Sequence, residues 1–241
     1  MLRIEGRRTG IVIHYMYVQG INPHVVLDVV DHDDRRIGNW YSRLRYAEGT
    51  FDGGAGFQGT SMSRGIRIDP TTLPDRIRFR CKPRARPLPD VLEPAPQFLA
   101  TRRLRDIVEA LESGRHQMHP VAMTWKDGSP AEDRWIVIPT QRLDTADRER
   151  TSFVMKSNPA RGWSWWEDPS REDTSAPPGR FVIDPEKVAD RHLWQGKHLM
   201  HQVHFVSDRF RKACESAGIE GLGFKSIAET DWLALARGAA S

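Results

Sequence analysis

A chain of 241 residues with 36 Lys and Arg against 32 Asp and Glu carries a net charge of +4, enough length for one large domain or two modest lobes and too little charge to single out an acidic partner. No run approaches the roughly 18 consecutive apolar residues of a membrane span, and MLRIEGRRTG has no apolar stretch of the signal-peptide kind, so the expectation is a cytoplasmic protein with no membrane partner. Cys81 and Cys214 are the only cysteines and form no C-x-x-C pair, which excludes a cysteine-built zinc site and fits two half-buried thiols in a reducing compartment.

In chain order, GIVIHYMYVQ places Ile11, Ile13, Tyr15 and Tyr17 on one parity, and HVVLDVV follows a Gly-Ile-Asn-Pro turn. The two segments read as an antiparallel hairpin or meander. Residues 38–75 are loop-rich, and within them Gly54, Gly56 and Gly59 spell the G-x-G-x-x-G spacing of a dinucleotide cradle. No apolar strand precedes those glycines and no helix follows, so no cofactor is expected and the segment reads as a loop. Next, DRIRFRC alternates Ile77, Phe79 and Cys81 with Arg76, Arg78 and Arg80, a strand with one basic face. Residues 64–105 hold 11 basic against 4 acidic residues, yet exposed aromatics are not interleaved with them. The reading is a solvated edge strand, with nucleic acid not expected as a partner. Pro83, Pro87, Pro89, Pro94 and Pro96 then read as a stiff linker. They divide the chain into a β-rich lobe over residues 1–95 and an α+β lobe over 96–241, with one continuous domain as the alternative.

Beyond the prolines the period changes. QFLATRRLRDIVEALESG carries Leu104, Ile107, Val108 and Leu111 at helical spacing behind Thr101, an N-cap residue type, and stops at Gly114. HFVSDRFRKACESAG repeats the device, with Ser207 as cap, Phe210, Ala213, Cys214 and Ala217 on the apolar stripe, and Gly218 at the stop. The units superpose at an offset of 106 residues, and each precedes a strand candidate, HQMHPVAM or GLGFKSI. Chance recurrence and internal duplication both remain open. Between them RWIVIP, RTSFVM and GRFVIDP read as strands, separated by the polar stretch SNPARGWSWWEDPSREDTSAPPG, too long for an ordinary connection. The fold class is therefore α+β, with mostly antiparallel sheets and two strand-helix-strand units in the C-terminal part.

Four segments together, FLATRRLRDIVEALESGRHQMHPVAM, RWIVIPTQRLDTADRERTSF, FVIDPEKV and HFVSDRFRKACESAGIEGLGF, resemble the immunity protein 11 family of bacterial polymorphic toxin systems. The resemblance covers residues 97–154 and 180–227, with the first 95 residues matching loosely in a β-rich lead-in that ends at LPDVL. Thr101 stands where the family has Ser, and Met118 where it tends to have an aromatic residue. The motifs concern fold rather than catalysis. The resemblance implies a non-enzymatic protein that binds and neutralises a cognate toxin by stoichiometric occlusion, nucleases being among the toxins concerned.

Candidate contact residues follow from that implication. RGWSWWEDPSRED sets Trp163, Trp165 and Trp166 beside Glu167 and Asp168 in a segment that the resemblance leaves unexplained. The tryptophans are either interface anchors or core plugs. DVVDHDD contributes Asp31, Asp33 and Asp34 as acids able to mimic phosphate toward a nuclease. The alternative is a metal-dependent hydrolase built on His198, His201 and His204 with Asp208 near in sequence. Its spacing is poor, because a helix splays the three rings and a strand turns His201 away from the other two. Neither a G-x-S-x-G elbow nor a cysteine motif supports nucleophilic catalysis.

Overall fold

The computed structural model describes residues 12–18, 27–57, 60–83, 87–92, 98–171, 179–200 and 203–227. Early strands are β1 (Ile13–Val18), β2 (Leu27–Val29), β3 (Arg76–Phe79), β4 (Val91–Leu92) and β5 (Phe98–Ala100), the last leading into helix α1 (Arg102–Glu112). There follow β6 (Gln117–Thr124), β7 (Arg134–Ile138), β8 (Arg142–Leu143), β9 (Val154–Asn158) and β10 (Trp163–Glu167). The chain closes with the short helix α2 (Pro185–Val188), β11 (Leu193–Gly196), β12 (His204–Ser207), α3 (Asp208–Ser216) and β13 (Leu222–Ser226). The class is α+β.

Two sheets carry the fold. One has the order β13-β1-β12-β11-β8, the other β2-β3-β6-β7-β5-β4, and β9 and β10 form a separate hairpin. Strand β1 lies antiparallel between β12 and β13, and β7 lies antiparallel between β5 and β6. Each helix therefore links two strands that run parallel to each other with one antiparallel strand between them, a split βαβ arrangement. The offset of 106 residues carries β5 onto β12, Leu104 onto Phe210 and Val108 onto Cys214, and all four of those side chains are buried in one cluster.

Strand alternation places that cluster between the sheets. Phe98, Ala100 and Val137 of one sheet and Met16, Val206 and Leu222 of the other face it together with both helices. Opposite faces bury separate cores. Leu99, Ile136 and Ile138 point into one with Ile77 and Phe79, while Phe205, Trp194 and Ile13 point into another with Trp166 and Phe181. Each sheet is thus apolar on both faces, as a three-core arrangement requires.

Several expectations are corrected here. β1 and β2 do not form a hairpin, because β1 joins the C-terminal strands and β2 pairs with β3. Strand β3 is not an edge, since it lies between β2 and a parallel β6. Both sheets run across the expected boundary at residue 95. The prolines are no free linker where the structure describes them. Val91 donates its amide to the Glu220 carbonyl, Arg134 donates to the Pro89 and Asp90 carbonyls, and β4 pairs with β5. GRFVIDP forms no strand and contributes a single bridge, Ile183 to Ala146.

Thr101 sits at the N-cap of α1 without capping it. Its hydroxyl donates instead to the buried Asp90 carboxylate at 2.7 Å, which also accepts from Arg103 and from the Glu220 amide. Ser207 does cap α3, accepting from the Phe210 amide at 3.2 Å. Gly114, at φ 67, ends α1 in the left-handed region that a Cβ disfavours.

Candidate functional site

The segment expected as a long polar loop is in part a β-hairpin. β9 and β10 pair antiparallel with Trp163 opposite Asn158, Trp165 opposite Lys156 and Glu167 opposite Val154. Alternation puts Val154, Lys156, Trp163, Trp165 and Glu167 on one face and Met155 and Trp166 on the other. Met155 and Trp166 enter the core with Phe153 and Phe181, which fixes the first face outward. Trp166 also donates its amide to the His198 carbonyl, and Ser164 donates its amide to the Gly53 carbonyl, so the free edge of β10 is tied to the body.

The tryptophans therefore divide. Trp166 is a core plug, 8% exposed. Trp163 is also 8% exposed and lies under Trp165, with ring centroids 4.7 Å apart. Trp165 is half-buried, and Val154 beside it is 48% exposed. Glu167 is balanced by Lys156 at 3.7 Å on the same face. Asp168 is buried and structural, its Oδ1 accepting from the amide and hydroxyl of Ser170 and from the Gly179 amide. Among the described residues the acid expected around the indoles is thus reduced to one ion pair, and Glu172 and Asp173 lie outside them.

The glycine loop abuts this hairpin. Asp52 accepts from the Gly54 amide and from Arg142 at 2.9 Å, and Arg142 also donates to the Ala55 and Lys197 carbonyls. Burial lowers the Arg142 pKa, with Asp52 opposing. A Cβ at Gly54 would stand 2.3 Å from the Lys197 oxygen, so the glycines let backbone close on backbone around a guanidinium rather than around phosphate. Gly59 lies outside the described residues. Phe51, 56% exposed, leans on Phe57 at 4.9 Å and neighbours Gly162 at the hairpin turn. Phe51 and Val154 were missed from sequence: the first is a lone aromatic in a loop, and the second shows its outward parity only once β9 is placed.

The acidic segment faces the basic strand. Arg80 holds Asp28 with two bonds of 3.0 and 2.8 Å, Arg36 adds another at 2.9 Å, and Arg76 pairs with Asp34 at 3.1 Å. The Arg80 bond outweighs partial burial and lowers the Asp28 pKa. Asp31 accepts from the amides of Asp33 and Arg35 and so closes its own turn. Asp33 is left with only a loose 3.7 Å contact to Arg35. Among the described residues two ion pairs, Asp28–Arg80 and Asp34–Arg76, join the two charge runs.

The histidines do not converge. His198 faces the hairpin, whereas His204 faces the shared core, where burial depresses its pKa to about 3. Gln195 donates to His204 Nε2 at 2.7 Å. His201 lies outside the described residues, and among the described residues no group of three His, Cys, Asp or Glu could hold a metal ion. Asp208 instead binds Arg211, Lys212 and His14. Ser164, His198 and Asp144 look superficially like a nucleophile set. However, His198 Nδ1 lies 3.1 Å from both the hydroxyl and the carbonyl of Ser164, so the carbonyl, which can only accept, competes with the hydroxyl for that nitrogen. Asp144 is 3.9 Å from the other ring nitrogen, beyond hydrogen-bond distance. Cys214 is buried, and burial pushes its thiol up to about 12, which makes it inert as a nucleophile.

A further buried carboxylate went unnoticed in the sequence. Glu112 accepts from the His192 and Leu193 amides, from Gln141 and from His116, binding the end of α1 to the start of β11. Burial favours its neutral form, but these donors prevail and lower the pKa.

A family model described as Immunity protein family (Imm11) matches residues 23–229. No curated protein was found to match the chain. Among the described residues no helix is long and apolar enough to cross a membrane.

Proposed function

The chain belongs to the Imm11 immunity protein family, and from that membership we propose that it binds a cognate bacterial toxin in the cytoplasm and neutralises it stoichiometrically, performing no chemistry of its own. The family match over residues 23–229 carries this reading. The outward face of the β9–β10 hairpin is the contact surface, with Trp165 as its central anchor, Val154 on the same face, the Lys156–Glu167 pair at the rim, and Phe51 beside the hairpin turn. A half-buried aromatic residue beside an exposed valine and a paired Lys and Glu has the composition of an interface hot spot.

Aromatic contact is favoured over phosphate mimicry. Asp28 and Asp34 are held by arginines, which leaves the still charged Asp31 and the exposed Asp33 as the outward acid there. A nuclease remains one class of toxin that the reading accommodates, recognised by shape rather than by a field of carboxylates. Co-expression with the toxin domain encoded beside this chain tests the proposal. Rescue of growth with recovery of a binary complex is expected, and neither rescue nor complex with the neighbouring toxin would refute it.

A further inference from the structure

On the sheet carrying β3, β6 and β7, far in sequence from the hairpin, a cavity of about 160 Å³ is lined by Phe79, Leu88, Trp125, Ala131, Glu132 and Arg134 among others. Its walls are apolar, with Phe79 and Trp125 stacked at 4.7 Å between centroids. Two charged residues interrupt them, Glu132 and the Arg134 guanidinium on β7, the latter at 1% exposure. One edge of it is satisfied, Nη1 donating to the Pro89 and Asp90 carbonyls. Its other edge is not: Nε and Nη2 have no hydrogen-bond acceptor among the described residues. Those two nitrogens form the parallel fork that binds a carboxylate bidentately. Glu132, the carboxylate paired with Arg134 among the described residues, stays 3.7 Å from Nη2 with its side chain 65% exposed.

A buried cation with an unused fork costs free energy unless an anion completes it. We propose that this cavity is a carboxylate-binding site, in which an incoming carboxylate takes the Nε and Nη2 edge of Arg134, displaces Glu132 toward solvent, and lays its apolar portion against Phe79 and Trp125. Size limits the ligand. A dry apolar cavity of roughly 150 Å³ holds one benzene ring, so the occupant is a carboxylate on a single ring or a short chain. A free small-molecule acid and an acidic side chain of a protein partner share that chemistry.

Benzoate is the probe, with benzamide as its neutral isostere. Titrations of the 241-residue chain are followed through the Trp125 indole resonance and the melting temperature. Saturable binding of benzoate with a rise in melting temperature is expected, without either response to benzamide. Glu132→Gln removes the competing carboxylate and tightens benzoate by roughly fivefold, the worth of about 1 kcal/mol between charges some 4 Å apart in water. Arg134→Gln abolishes binding. Should that variant fail to fold, Ala131→Phe, which fills the cavity and leaves the guanidinium in place, abolishes it instead. If Ala131→Phe also loses protection against the neighbouring toxin, the occupant is a toxin carboxylate; if protection is unchanged, it is a free acid. Absence of saturable benzoate binding in both the natural chain and Glu132→Gln, or equal binding of benzamide, would overturn the site and leave the toxin-binding reading untouched.

Discussion

Phe98 and His204 lie ring to ring, 4.8 Å between centroids, in the core that the two sheets share. Each opens the strand that leads into a helix, three residues before the N-cap positions Thr101 and Ser207. The two split βαβ units thus meet through matching positions, one apolar and one titratable, in a core with room for no charge. His204 consequently stays neutral, its pKa brought down to about 3 by burial, with the charge of His116 acting the same way.

The sign of its pH effect follows. With a folded pKa below the unfolded value near 6.5, the unfolded chain binds the extra proton, so stability is lost as pH falls from about 6.5 toward 3. Between pH 7 and pH 4 this single group should remove roughly 3 kcal/mol. Urea unfolding of the natural chain and of His204→Gln at both pH values measures it. The variant should lose markedly less stability over that interval, and parallel losses would show that His204 is not the titrating group.

Thr101 supports Asp90 rather than the helix start. Thr101→Ser keeps the hydroxyl and should be nearly neutral, whereas Thr101→Val leaves the buried Asp90 carboxylate short of a donor and should cost about 2 kcal/mol. A cycle with Asp90→Asn checks the mechanism: the two costs are non-additive if the hydroxyl serves Asp90 and additive if it serves the cap.

Gly54 is required for close approach and not for its φ. Gly54→Ala places a methyl group 2.3 Å from the Lys197 oxygen and 3.0 Å from the Arg142 guanidinium, and should destabilise by roughly 1–3 kcal/mol. Gly49→Ala serves as the comparison, because its Cβ would meet nothing within 4 Å and its penalty comes only from φ 70. Denaturant midpoints rank the two, and a Gly54→Ala cost no larger than that of Gly49→Ala would contradict the steric account.

What the sequence disclosed was local. Leu104 and Val108, Phe210 and Cys214 recur at helical spacing between a capping residue type and a glycine, and that is enough to place α1 and α3. Pairing partners were hidden, since nothing within Ile13–Val18 says that its neighbours lie some 190 residues away rather than in the next apolar run. The hairpin escaped because WSWWE has indoles on both parities, which obscures period-two alternation when one face packs on the core and the other carries a half-buried aromatic. Burial of Trp166 follows from that pairing, whereas Trp163 shares the outward face and is buried beside Trp165.

The indoles can be separated by one pair of measurements. Trp165→Ala should leave the melting temperature nearly unchanged and weaken toxin binding by about 2 kcal/mol or more. Trp166→Ala should cost roughly 3–5 kcal/mol of stability and affect binding only through the unfolded fraction. Unaltered toxin affinity in Trp165→Ala would remove the hairpin face as the contact surface.

Titrating this protein into a fixed amount of the neighbouring toxin domain, with toxin activity and heat of binding followed together, tests the central claim most directly. Activity should fall linearly to zero at a fixed whole-number ratio that matches the calorimetric stoichiometry, with the toxin recovered covalently unchanged. Loss of activity at a small fraction of an equivalent, or a chemically altered toxin, would reveal catalysis and contradict neutralisation by occlusion.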